Sequence, residues 1–167
     1  MSSPLTLEEL TRLTKAGDID TVVVVMTDMQ GRLVGKRIHA PFFLDEVAQH
    51  GTEGCNYLLA VDIDMNTVQG YEVSSWETGY ADMGMEPDLA TLRYLPWHDG
   101  TAMVVADLVD HHKHDISVSP RAILKKQLAR LDEAGMVAMC GTELEFIVFN
   151  NTYEDAWDKG YKDLTPA

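Results

Sequence analysis

The sequence predicts an α+β fold, for three reasons. Its β-branched runs come in pairs joined by short turns, which makes antiparallel hairpins. Its helical segments are few and stand between those pairs instead of alternating with single strands. Hydrophobic residues make up 46% of the 167 and charged residues 24%, enough apolar matter for a packed core and too much for wholesale disorder.

The elements follow in order. Thr6 precedes Leu7, Leu10 and Leu13, spaced for one helix face, with Glu8 and Glu9 in the first turn. Thr6 to Glu9 reads as a capping box and Gly17 as the stop. Thr21 to Thr27 (TVVVVMT) is a buried strand by its β-branched content. Asp28-Met29-Gln30-Gly31 is a turn, and Arg32 to Ile38 returns as the second strand of a hairpin. Pro41 opens a short helix carrying Phe43, Leu44, Val47 and Ala48, which Gly51 closes. Asn56 to Ile63 (NYLLAVDI) is expected to be a further strand. Asn66 to Pro87 holds three glycines and scattered aromatics and acids, and reads as a long ordered loop, a kind that is more often functional than idle.

Leu92 to Leu95 and Thr101 to Leu108 form a second hairpin across Pro96 to Gly100. The polar stretch Val109 to Ser117 is the expected domain boundary. Ser119-Pro120 then supplies an N-cap followed by proline at the first helical position. Ile123, Leu124, Leu128 and Leu131 make that helix's apolar face, and Gly135 ends it. Met136 to Phe149 (MVAMCGTELEFIVF) is expected to be a long strand. The tail from Asn150 is polar and aromatic without a clear period.

Charge narrows the function classes. Thirteen Lys and Arg stand against 27 Asp and Glu, a net charge of −14. Nucleic acid demands a basic footprint, and an anionic membrane surface would repel such a chain. Cations and amines are not excluded. Two cysteines, Cys55 and Cys140, are too few for a disulfide framework and fit a reducing compartment. The start of the chain has no basic, apolar signal-peptide pattern, and the run Val22 to Met26 is far too short to span a bilayer. A soluble, cytoplasmic protein is expected.

Four features carry candidate chemistry. In a strand, Glu143 and Glu145 would point the same way while Leu144 and Phe146 point the other, placing two carboxylates about 7 Å apart on one face. Such a pair suits a hard divalent cation; the plainer reading is a solvated sheet face. The cluster Asp110-His111-His112-Lys113-His114-Asp115 has metal-ligand residue types but lies where polar residues are expected anyway, so a solvated loop competes with a metal site. Asp28 to Arg32 reads as turn chemistry. Glu72, Ser74 and Ser75 form an acid and a serine pair with no triad partner in view. Neither a phosphate-binding glycine loop followed by Lys nor a dinucleotide-binding glycine pattern is present.

Gly141-Thr142-Glu143-Leu144-Glu145-Phe146-Ile147-Val148-Phe149 resembles the Gly-x-Glu-x-Glu-Phe-x-x-Phe strand that opens the catalytic domain of the glutamine synthetase family. Asp82 to Thr91 resembles that family's Asp-Met-x-Leu-x-Pro-Asp-x-x-Thr stretch, and Asp28 to Leu33 and Ser119-Pro120-Arg121 match in the same order. The resemblance covers essentially the whole chain. It implies an N-terminal β-grasp domain over residues 1–112 and, over 113–167, the beginning of a catalytic domain built around an antiparallel sheet. It implies that Glu143 and Glu145 each bind a different ion of a paired Mg²⁺ or Mn²⁺ site. It further implies ATP as co-substrate, glutamate and ammonia or a small amine as the other substrates, a γ-glutamyl phosphate intermediate, and assembly as a homo-oligomeric ring.

Glutamine synthetases proper carry Asp-Gly-Ser-Ser in the N-terminal domain, where this chain has Glu72-Val73-Ser74-Ser75. The loop is closer in look to glutamine synthetase-like ligases that join glutamate to larger amines such as ethanolamine or polyamines. Most of the nucleotide pocket and the remaining metal ligands of the family lie beyond residue 167, so this length is expected not to turn over alone, and no residue in it is assigned a catalytic or nucleotide-binding role. The alternative is a shortened binding or regulatory module that co-assembles with a full-length ligase.

Overall fold

A computed structural model describes residues 4–77 and 79–167. The chain divides into two compact units, the first ending at Gly135 and the second spanning Met136–Ala167. The first is a five-stranded mixed sheet with helices, an α+β architecture.

Helix α1 (Leu7–Ala16) begins and ends where local signals place it. Thr6 Oγ1 accepts the Glu9 N–H at 3.1 Å, and Gly17, at φ 80°, donates its own N–H back to the Leu13 and Thr14 carbonyls. Strand β1 (Thr21–Thr27) turns at Asp28–Gly31 and pairs antiparallel with β2 (Leu33–His39). A continuous helical stretch follows, α2 (Ala40–Phe42), a π-turn over Phe43–Val47, and α3 (Ala48–His50); it buries Phe43 and Val47. Gly51, at φ 74°, ends it as expected. Strands β3 (Thr52–Cys55), β4 (Asp82–Tyr94) and β5 (Thr101–Val109) complete the sheet in the order β2-β1-β5-β4-β3. All pairings are antiparallel except β1 with β5, which run parallel at the centre. Helix α4 (Pro120–Glu133) follows.

The period of two along the central strands builds the core. Val22, Val24 and Met26 of β1 and Ala102, Val104, Ala106 and Leu108 of β5 are buried, and they pack with Leu10, Phe43, Val47, Met83, Met85 and Leu92. Helix α4 is held to β4 and β5 by charge. Arg121 donates from Nε to Asp107 at 2.8 Å and from Nη2 to Asp88, and Lys125 reaches Asp107 at 2.8 Å. These pairs keep α4 in the first unit. Its apolar face is left open: Ile123, Leu124 and Leu128 are exposed.

Three expectations are corrected here. Asn56 to Ile63 is not a strand: pairing with β4 stops at Cys55–Asp82, and Asn56–Leu59 winds into a 3₁₀ turn that buries Leu59. The stretch from Asp82 to Pro87 is not loop but the start of β4. There Met83 and Met85 face the core, and their burial outweighs the turn-forming character of Gly84 and Pro87. Pro87 lies past the end of the β3 pairing, at an edge, where a missing N–H is tolerated. The third correction is the long strand Met136 to Phe149, which is absent. Residues 136–148 have no regular structure, and all are exposed. A strand exists only through ladder hydrogen bonds. Here the described pairing is confined to the segment's far end, where Phe149 bridges Pro166 and Ala167 N–H donates to the Val148 carbonyl. In the same unit, α5 (Tyr153–Asp158) is capped by Thr152, whose Oγ1 accepts the Asp155 N–H.

Acid will destabilise the first unit. For Asp28 and Asp107, burial alone would raise the carboxyl pKa. At Asp28 the hydrogen bonds and charge of Arg32, with the Gln30 N–H, outweigh it; at Asp107 Lys125 and Arg121 do. Both groups end below the usual carboxylate range. A folded-state pKa below the unfolded one stabilises above the unfolded value, about 3.9 for Asp, and the contribution disappears as pH falls through the folded one. The urea midpoint is therefore expected to fall between pH 6 and pH 3; a flat profile would contradict the assignment.

Candidate functional site

The sequence-predicted metal pair is not assembled on a sheet. Glu143 and Glu145 are exposed, in the irregular segment described above, with Leu144, Phe146 and Ile147 exposed around them. Glu145 lines an open cleft with Leu144, Phe146, Ile147 and Phe149. Among the described residues, no three His, Cys, Asp or Glu side chains converge as a metal site would require. The same-face argument needs a sheet, and the second unit builds none around these two residues. What remains is donor chemistry: two carboxylates, neither of them in an ion pair among the described residues.

The histidine cluster folds as a tight turn. Asp110 Oδ1 accepts the His112 and His114 N–H groups at 2.7 and 2.9 Å, Lys113 sits at φ 65° and pairs with Glu86 at 2.8 Å, and residues 111–114 are exposed. A solvated loop describes it.

The Asp28 turn is more than local. Asp28 is 1% exposed. Its Oδ1 accepts the Gln30 and Arg32 N–H groups at 3.0 and 2.8 Å, and its Oδ2 accepts Arg32 Nε at 2.7 Å. Arg32 then donates to the Ile63 and Asp62 carbonyls, and Gln30 Nε2 to the Val61 carbonyl. The first hairpin thus clamps the start of the long loop 31 residues away. The sequence signalled the turn; nothing in it signalled the distant carbonyls.

In the long loop itself Ser74 and Ser75 are buried and Glu72 is exposed. Asn56 Nδ2 donates to the Val73 carbonyl at 2.7 Å and ties the loop to the 3₁₀ turn. Asn56 Oδ1 and Ser74 Oγ are buried without a hydrogen-bond partner. Cys55, Tyr57, Thr67, Trp76 and Tyr80 line a pocket of about 300 Å³. Tyr57 and Trp76 stand edge-on to Tyr80, with ring centroids 6.2 and 5.3 Å from it and interplanar angles of 87° and 85°. In the sequence these aromatics look scattered, because Asn56 to Ile63 has the composition of a strand and not of the 3₁₀ turn that presents Tyr57.

Comparison with known proteins bears on this arrangement. Residues 117–166 match the family model described as the glutamine synthetase catalytic domain. Over 164 residues, 98% of this chain, the sequence is 63% identical to the γ-glutamylethanolamide synthetase GlnA4 of Streptomyces coelicolor and covers 36% of it. It is 30% identical over 150 residues to a glutamate–isopropylamine ligase of a Pseudomonas species, covering 90% of this chain and 33% of that one. A GmaS/ADP complex superposes with a TM-score of 0.57 at 22% identity over 75% of this chain and 26% of its own, which speaks to fold alone. The chain spans about a third of the length of the curated relatives it matches.

Proposed function

The chain resembles the glutamine synthetase family, as the catalytic-domain match and the relatives agree, and from that premise we propose that it is the N-terminal part of an ATP-dependent glutamate–amine ligase. The ligase joins the γ-carboxylate of glutamate to a small amine. ATP first phosphorylates that carboxylate, ADP leaves, and the amine nitrogen then displaces phosphate from the acyl carbon with loss of a proton. The observation that carries the reading is the 63% identity to a protein named as a γ-glutamylethanolamide synthetase. The Glu72-Val73 departure from Asp-Gly agrees with an acceptor larger than ammonia. The site of action is the cytoplasm, and the whole protein is a ring-shaped homo-oligomer.

Residues 1–112 are assigned to a β-grasp domain, supported by the hairpin, the helical crossover and the parallel β1–β5 pairing. Residues 113–167 are assigned to the beginning of the catalytic domain, supported by the family match from residue 117. The open apolar face of α4 and the exposed apolar segment around Glu143 fit a domain of which these residues are one part.

Glu143 and Glu145 are the proposed holders of Mg²⁺ or Mn²⁺. Carboxylate oxygens suit a hard divalent ion, which when bound neutralises phosphate charge. Two carboxylates do not close a coordination sphere, so this chain alone is expected to release no phosphate above background. In the ligase that contains these residues, phosphate release requiring ATP, glutamate and ethanolamine together is the expected result. Glu143→Ala or Glu145→Ala should each lower kcat/KM by about 100-fold or more, roughly 2.7 kcal/mol, and weaken Mn²⁺ binding measured by calorimetry. A wild-type ligase that releases no phosphate with any amine removes the function. Full activity in both variants removes the metal assignment alone.

A further inference from the structure

Helix α4 has 14 residues and buries none of them. Residues 123–130 are all exposed, leucines included, and only Pro120, Arg121, Ala122 and Leu131 are half-buried. Burial of an apolar stripe, the usual reason a helix stays on a sheet, is therefore nearly absent. A helix of this length is marginal by itself in water, so something else keeps it in place. Charge does so, and it is gathered at one end: Arg121 in the first turn and Lys125 in the second.

The receiving carboxylates belong to the sheet. Asp88 stands where the β4–β5 register slips, and its Oδ1 accepts the Ala90 N–H at 3.1 Å. Thr91 Oγ1 donates to the Asp88 carbonyl at 2.7 Å and accepts the Val105 N–H at 2.8 Å, which fastens this irregularity to β5. That leaves Oδ2 of Asp88 for Arg121 Nη2, while Arg121 Nε and Lys125 Nζ divide the two oxygens of Asp107. One guanidinium thus ties two strands to a helix. All four side chains keep contact with solvent, so each pair is weak and open to screening by salt. Just before the helix the chain is anchored by its backbone instead. Ile116 N–H donates to the Leu108 carbonyl, Ser119 N–H donates to the Ile116 carbonyl, and Ser119 is buried. The division between firm and loose therefore falls at Ser119-Pro120.

We propose that α4 is a charge-held latch: Arg121 and Lys125 on Asp88 and Asp107 keep it on the sheet, and when those pairs are screened it swings away about Ser119-Pro120 while the five strands stay folded. The chain beyond Gly135, which carries Glu143 and Glu145, follows α4 directly, so the latch sets how freely that stretch moves. The latch stands whether or not the ligase reading does.

Hydrogen exchange of the whole 167-residue chain, read by NMR at about 20 mM and about 1 M sodium chloride, tests this, because the screening length falls severalfold over that range. At low salt the amides of residues 124–133 are expected to be protected, yet less than those of residues 102–108 in β5. At high salt, protection over 124–133 should fall about tenfold or more while that of β5 changes less than about twofold. Arg121→Gln, which keeps a polar stem and removes the charge, should give the same loss at low salt and remove most of the salt dependence. Arg121→Lys, which keeps the charge and loses the fork, should lie between. Exchange over 124–133 in step with β5, no protection there at low salt, or no response to salt would overturn the latch. So would an Arg121→Gln variant in which β5 loses as much protection as α4, since the arginine would then staple the whole unit. The wild-type salt series decides even where a variant fails to fold.

Discussion

Gly35→Ala is expected to cost about 3 kcal/mol or more, although two of the effects it brings favour alanine. Alanine restricts the unfolded chain and suits a strand better, together worth roughly 0.5–1 kcal/mol in its favour. Nor does the backbone object, since Gly35 is not among the residues with positive φ. Space decides the sign. A Cβ at Gly35 would lie 2.0 Å from the Val24 carbonyl oxygen and 2.8 Å from the Val25 Cα, both backbone atoms of the neighbouring strand. No rotamer change relieves a backbone contact, so β2 must move away from β1 and give up part of the register from Thr21–His39 to Thr27–Leu33. β2 is an edge strand, so the damage should begin there. A urea titration is expected to show a lower midpoint, and hydrogen exchange should show protection lost first across Leu33–His39. An unchanged midpoint would mean that the two strands are not as close as described.

Phe43→Ala is the second large effect, about 3–5 kcal/mol. Phe43 is 0% exposed, in the π-turn that follows Pro41, and packs in the cluster with Leu10, Val24 and Met85. Removing the ring leaves a cavity that the sheet cannot close without breaking its own ladder. Phe43→Leu, which keeps most of the volume, should cost less than about 1.5 kcal/mol. Its neighbour Phe42 supplies the control: it is 54% exposed, and Phe42→Ala should stay within about 0.5 kcal/mol of wild type. Set against a total stability of roughly 5–15 kcal/mol for a domain, the contrast between adjacent phenylalanines is a direct measure of which side of the helical stretch faces the sheet. Similar midpoints for the two alanine variants would reverse that orientation.

The legible parts of the fold are those where the signal and its consequence lie within a few residues. Thr6, Glu9 and Gly17 cap a helix by bonds that span three or four positions, so α1 could be placed from its letters. The hairpin across Asp28–Gly31 and the one across Pro96–Gly100 were placed for the same reason, as was the helix begun by Ser119-Pro120. Errors came where a partner elsewhere in the chain decides. Asn56–Leu59 looks apolar enough for a strand, but its backbone has no strand beside it once β4 is spent on Thr52–Cys55. Asp82–Pro87 carries turn formers, yet β3 and β5 recruit it into the sheet. Met136 to Phe149 has strand composition and no strand beside it among the described residues, so Glu143 and Glu145 stay in water.

The candidate sites divide the same way. Gly141 to Phe149 carries a likeness to a family and suggests an ion-binding chemistry by order of residues alone, and the Glu72-Val73 departure suggests a larger amine; a relative named for γ-glutamylethanolamide is in keeping with the latter. Composition, caps, turns and family likeness were the sequence's to determine, because each is written in neighbouring residues. The parallel β1–β5 pairing, the reach of Arg32 to Asp62 and Ile63, and the meeting of Tyr57 with Tyr80 were decided only by the folded chain. Each joins segments about twenty or more residues apart, and such contacts form only when the core has closed between them.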